Sequence, residues 1–146
     1  MNKKYLGFRA VVWVVAVYHV LLGITLSCPV PVIEVVTKGV LGATKMPDAS
    51  SLFLARMAGA YLLVFGIGIG LAAYDPIKNR ALLSLGAIVV VLRVLQRAFQ
   101  LGDLQMALGI STGTNWITVG VMMSLAIVLL VFRFKLLSDM KKEKME

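Results

Sequence analysis

Four long apolar stretches, parted by short polar ones, set the pattern of this chain. The first runs from about Phe8 to Leu26 and the second from about Leu52 to Ala73. The third opens near Ala81, and the fourth runs from about Ile117 to Phe134. A helix rises about 1.5 Å per residue, so it needs about 20 apolar residues to cross hydrocarbon. The pattern predicts an all-α integral membrane four-helix bundle, a single transmembrane domain over 1–146 with spans near 8–26, 52–73, 81–101 and 117–134. The third stretch departs from the rest. Only Ala81 to Leu92 is free of charge, about 12 residues and too short to cross alone. To reach the far side near Leu101 it must carry Arg93, Gln96, Arg97 and Gln100, which spacing at i, i+3, i+4 and i+7 sets on one helix face.

The connections carry their own signals. Between the first two spans, Pro29 and Pro31 open a segment in which Val32, Ile33, Val36 and Val40 recur at helical spacing. Glu34 and Lys38 form an i,i+4 pair on its other side, and Gly39 and Gly42 can end it. This reads as a short interfacial helix at the membrane surface, with a β-rich loop as the alternative given its valines. Tyr74-Asp75-Pro76 and Asn79 supply a tight turn after the second span. Asp103 to Asn115 forms the last connection, ending in turn-prone Ser111-Thr112-Gly113-Thr114-Asn115, where Thr114 or Asn115 can cap the fourth helix. Thr25-Leu26-Ser27 fits a lipoprotein cleavage signal before Cys28 poorly and Pro29 follows directly, so the first stretch is read as a retained span.

Composition agrees with a membrane protein: 60% of residues are hydrophobic and mean hydropathy is +0.91. The net charge of +8 would suit nucleic acid, but the cations flank apolar runs, as topology requires, and no nucleic-acid partner is expected. Lys3, Lys4, Arg9, Lys78, Arg80, Arg133, Lys135, Lys141, Lys142 and Lys144 fall at the termini and the 74–80 turn, against Lys38 and Lys45 in the two opposite connections. Ten cations against two place both termini in the cytoplasm, and the expected location is a bacterial inner membrane. A lone cysteine, Cys28, excludes an internal disulfide, and a lone histidine, His19, excludes bis-histidine haem ligation within one chain.

Chemistry concentrates in one leaflet. Arg93 falls about 12 Å below the outer end of its helix, His19 at similar depth, and Arg56 and Arg97 nearer the surface. An arginine in mid-span costs about 2.5–3.5 kcal/mol on insertion scales, so something must compensate it. One reading has the arginines snorkel and pair with Glu34, Asp48 or Asp103. The other is a polar pocket walled by the second and third spans, in which Arg56, Arg93, Gln96, Arg97 and Gln100 engage the head of an anionic lipid or a quinone. His19 joins that set, with Gly23 leaving space beside it and Tyr18 and Tyr61 as candidate neighbours. Met122 and Met123 read as core filler and Trp13 as a packing residue. Gly59, Gly66 and Gly70 read as helix-packing positions, the last two in a GxxxG arrangement. No metal-ligand cluster, phosphate loop or nucleophile–base pair is present in the sequence.

Arg56-Met57-Ala58-Gly59-Ala60-Tyr61, leading into Gly66–Gly70 within a four-span plan, resembles the DoxX-like group of small bacterial membrane proteins. That resemblance implies the four-helix fold and a link to quinones, since some members are associated with quinone-linked sulfur oxidation and thiol redox systems. A single loop cysteine does not suit a thiol role. The expected function is non-enzymatic: an accessory or ligand-binding membrane protein whose Arg/Gln cluster engages a lipid-like or quinone-like ligand, a partner subunit or a second copy. Two alternatives stand beside it. One is a structural subunit without a ligand of its own; the other is a redox or isomerase subunit using His19 as proton donor.

Overall fold

A computed structural model describes residues 5–46 and 48–143; Lys3, Lys4 and Lys144 of the topology argument lie outside the described residues. The described residues form six helices and no strand: α1 (Leu6–Leu26), α2 (Val30–Leu41), α3 (Ala49–Tyr74), α4 (Arg80–Phe99), α5 (Leu101–Leu108) and α6 (Thr112–Glu143). Of these, α1, α3, α4 and α6 are long and apolar enough to cross a membrane, as a multi-pass membrane protein requires. Large apolar side chains such as Val14, Phe53, Val64, Ile88, Ile117 and Phe134 are exposed along all four. In water such a surface would drive association; against lipid tails it is the favourable one.

The helices pack in two main pairs, α1 on α3 and α4 on α6, joined by α3–α4 and α1–α6 contacts. Small residues allow the first pair to approach closely. A Cβ built on Gly23 of α1 would lie 2.6 Å from Leu63 N and 2.7 Å from Gly59 O of α3. One on Gly66 would lie 2.7 Å from Val20 N and 2.9 Å from Ala16 O. Gly70 differs, since its nearest neighbours are Trp13 Cζ3 at 3.6 Å and Ala16 Cβ at 3.7 Å, ordinary contact distances. The space expected beside Gly23 for a ligand is therefore filled by the backbone of α3. The main core lies toward the chain termini, where Val12, Ile69, Ala73, Leu83, Leu129 and Phe132 are buried together. A smaller one, Leu22, Leu26, Ile33 and Leu62, lies under α2.

Each end of the molecule is tied by polar contacts. At the terminal end, Arg9 donates from Nε to Ala73 O (2.8 Å) and from Nη2 to Tyr74 O (3.0 Å), satisfying carbonyls that the last turn of α3 leaves open. Tyr5 OH donates to Asp139 of α6. At the opposite end, the N–H groups of Thr44 and Lys45 donate to Leu108 O, at 2.9 and 3.1 Å. Thr44 Oγ1 also donates to Gly109 O. Segment 30–41 is helical rather than β-rich. Gly42, at φ +66°, ends it, and Ala43 N–H returns to Thr37 O at 3.1 Å.

Two boundaries differ from the sequence expectation. The third long helix stops at Phe99, short of the expected Leu101, and a separate helix, α5, runs into the last connection. The last helix starts at Thr112, five residues earlier than expected, because Ser111 acts as the cap: its Oγ accepts Thr114 N–H at 3.1 Å. Asn115 consequently lies inside the helix, not at its cap. That helix has 32 residues, about 48 Å at 1.5 Å each, longer than the roughly 30 Å of hydrocarbon. Lys141 and Lys142 stand in its last turn.

Candidate functional site

The fold divides the Arg/Gln face of α4. Arg93 and Arg97 are partly buried, whereas Gln96 and Gln100 are exposed, as is Arg56 on α3. Val90 and Val94, both buried, fix the inward side of α4, and the two arginines border it while the glutamines lie farther round.

Arg93 opens on a cavity of about 300 Å³ between α1, α4 and α6. Val14, Val15, Tyr18 and His19 come from α1, Val90 and Arg93 from α4, and Thr118, Val121, Met122 and Leu125 from α6. A smaller space of about 160 Å³ adjoins it toward α2, where Arg93, Tyr18 and Thr118 recur beside Arg97, Leu22 and Val40. The pocket was expected between the second and third spans; it lies instead between the first, third and fourth, because α3 is engaged with α1 through Gly23, Gly59 and Gly66. Arg56, Gln96 and Gln100 line neither space. A larger groove of about 500 Å³ runs along α1 and α3 past Trp13, Gly66 and Gly70, but no charged residue lines it. It matches a lipid-facing surface.

His19 is buried, and its neighbours define its chemistry. Nδ1–H donates to Val15 O one turn back at 2.8 Å; a carbonyl can only accept, so the proton of the neutral ring is on Nδ1 and Nε2 holds a lone pair. The ring meets Tyr18 edge-on with centroids 5.2 Å apart and Phe65 of α3 at 4.8 Å. Tyr61, the other expected neighbour, is exposed instead. Phe65 takes that place because it is one turn further along α3. Of the two methionines, Met122 lines the cavity, while Met123 is exposed. Trp13 is also substantially exposed.

Arg97 and Arg93 meet different fates. Arg97 Nη1 donates to Asn115 Oδ1 at 3.0 Å, and Asn115 Nδ2 returns a longer bond to Arg97 O at 3.4 Å. Asn115 is fully buried, so this exchange ties the end of α4 to the start of α6. Arg93 makes no hydrogen bond or ion pair among the described residues, although its guanidinium presents five N–H groups. Of the acids expected to compensate the arginines, Glu34 pairs with Lys38 at 2.6 Å, and none of the three arginines meets a carboxylate among the described residues.

Asn115 was expected only as a helix cap, and Thr118 has no role in the sequence expectation. The available signal was their spacing with Met122 and Leu125, at i, i+3, i+7 and i+10, which places polar and apolar residues on one inward stripe. Asn115→Leu is expected to cost about 1–3 kcal/mol, because it leaves an Arg97 donor without its partly buried acceptor. Unfolding by sodium dodecyl sulfate from a mild detergent measures this. An unchanged midpoint would mean that the pair does not hold α4 to α6.

Comparison with protein families, with curated proteins and with solved structures finds no match for this chain. The resemblance to the DoxX-like group rests on the Arg56–Tyr61 and Gly66–Gly70 residues and the four-span plan alone.

Proposed function

We propose that this is a non-enzymatic protein of a bacterial inner membrane, with both termini cytoplasmic, that holds an amphiphile in the cavity between α1, α4 and α6. One observation carries the reading: Arg93 lines a mostly apolar cavity and has no acceptor among the described residues. A guanidinium at membrane depth demands compensation, and an anionic or carbonyl-bearing head would supply it while valines and Leu125 receive the apolar part. Lipid and quinone heads both meet that requirement. Within this reading α2 lies at the membrane surface, with Ile33 turned to the smaller core and Glu34 paired with Lys38 on the other side. The non-enzymatic reading draws support from His19: its one proton is engaged by Val15 O, which leaves no proton to donate from the neutral ring.

A second reading, an accessory subunit bound to a partner chain or a second copy, is favoured by the exposure of Arg56 and Gln96 on helices long enough to span the membrane. Native mass spectrometry of the chain extracted from its own membranes in a mild detergent tests both. A tightly held amphiphile supports the cavity reading. A stoichiometric partner protein with an empty cavity would replace it with the subunit reading, and a bare chain would overturn both.

A further inference from the structure

The hydrogen-bonding groups of the cavity wall are not all of one kind, and this narrows what can occupy it. Arg93 can only donate. Thr118 Oγ1 donates to Thr114 O at 2.9 Å, so only its lone pairs remain for an occupant. His19 has spent its proton on Val15 O, and Nε2 can only accept. That nitrogen has no partner among the described residues, and none of their partnerless side-chain nitrogens or oxygens is sealed from the surface, so Nε2 opens on free space. Tyr18 OH can serve either way. An occupant offering only acceptors, such as a plain carboxylate, would satisfy Arg93 and set its own lone pairs against those of His19 and Thr118. In an apolar enclosure an unmet acceptor carries a real penalty.

Charge narrows it further. Arg93 is the one guanidinium lining the main cavity; Arg97 keeps its charge but commits Nη1 to Asn115 and borders only the adjoining space. A single negative charge with two coplanar oxygens matches one guanidinium fork. We infer that the cavity takes a single-chain acyl carboxylate bearing a hydroxyl close to its head, the carboxylate on Arg93 and the hydroxyl donating to His19 Nε2 or Thr118 Oγ1. This rests on the cavity reading above and adds the donor requirement to it.

A matched pair of probes differing by one hydroxyl tests the inference: 2-hydroxytetradecanoate and tetradecanoate, titrated into the full-length chain in a neutral detergent. His19 is the single histidine, so one pair of ring nitrogen signals reports the site without assignment. The hydroxy acid is expected to bind roughly fivefold tighter, the size of one neutral hydrogen bond, and to move the Nε2 signal in the direction of hydrogen-bond acceptance. His19→Phe keeps a ring against Phe65 but removes the Nε2 lone pair, and is expected to bring the affinities of the two acids closer together, the hydroxy acid losing and tetradecanoate gaining. Arg93→Leu is expected to remove binding of both acids. Equal affinities with an unmoved Nε2 signal would overturn the donor requirement and leave the anion reading standing, with water as the occupant of the acceptor side. Failure of both acids to bind the wild type would overturn this inference; the cavity reading itself then stands or falls on whether a native amphiphile is extracted with the chain.

Discussion

Gly66→Ala and Gly23→Ala are expected to loosen the pairing of α1 with α3, while Gly70→Ala and Gly68→Ala leave it intact. The reason is what a methyl group meets. At Gly66 and Gly23 the nearest atoms are backbone of the facing helix at 2.7 and 2.6 Å, and backbone cannot swing aside as a side-chain tip can. The helices must separate, which forfeits contacts along the whole seam, and overpacking of this kind costs typically about 1–3 kcal/mol. At Gly70 the nearest atom stands at 3.6 Å, and at Gly68 nothing lies within 4 Å. Alanine there fits, and its better helix propensity adds up to about 1 kcal/mol in the opposite direction. Dodecyl sulfate unfolding of the four variants, read by far-ultraviolet circular dichroism, should separate them into two groups. Equal midpoints for Gly23→Ala and Gly68→Ala would show that the two backbones do not meet as described.

Arg93→Leu is expected to abolish retention of the bound amphiphile while making the third long helix a better membrane segment. On insertion scales the exchange of a central arginine for leucine is worth roughly 3–4 kcal/mol in favour of the variant. If the proposed amphiphile is bound through Arg93, the same exchange removes a charge-assisted hydrogen bond to it, about 1.5–3 kcal/mol, or roughly tenfold to more than a hundredfold in affinity. Stability and function therefore move in opposite directions, which separates loss of a site from loss of fold. Arg56→Leu serves as the control, since that side chain is exposed and lines neither cavity. Native mass spectra and thermal stability, taken on the same preparations, provide both readouts. An Arg93→Leu chain carrying the same molecule at the same occupancy would remove the guanidinium from the site.

The helices were legible because a membrane span is written in length and hydropathy, which one sequence displays directly. The short segment at 30–41 was legible too, through its 3–4 periodicity and Gly42. Boundaries were less so. Ser111-Thr112-Gly113-Thr114-Asn115 has turn composition, yet a serine cap starts α6 at its beginning, because capping depends on one side chain and not on the average of five. The cavity was half legible. The depth of Arg93 and His19 follows from counting residues along each helix, and the structure brings both to one space. Which helices face each other does not follow from counting. The Gly66–Gly70 spacing pointed to close packing on α3, but the backbone contacts involve Gly59, Gly66 and Gly23, and that choice of partner displaces the cavity to the far side of α1. A one-sequence reading has no access to such pairwise geometry, nor to the engagement of Arg97 by Asn115, which depends on two helices meeting.

The preference of α1 for α3 and of α4 for α6 has a consequence for how the molecule comes into being. Each pair is a hairpin whose members are near in sequence, so the first can settle in the bilayer before the second has left the ribosome. The Asp75–Asn79 turn, in which Lys78 N–H donates to Asp75 Oδ1 and Asn79 Nδ2 donates to Asp75 O and Leu71 O, links these two units. The cavity belongs to neither: its walls come from α1 on one side of that turn and from α4 and α6 on the other. On the proposed reading, an amphiphile in that cavity would touch both halves and so hold one hairpin to the other.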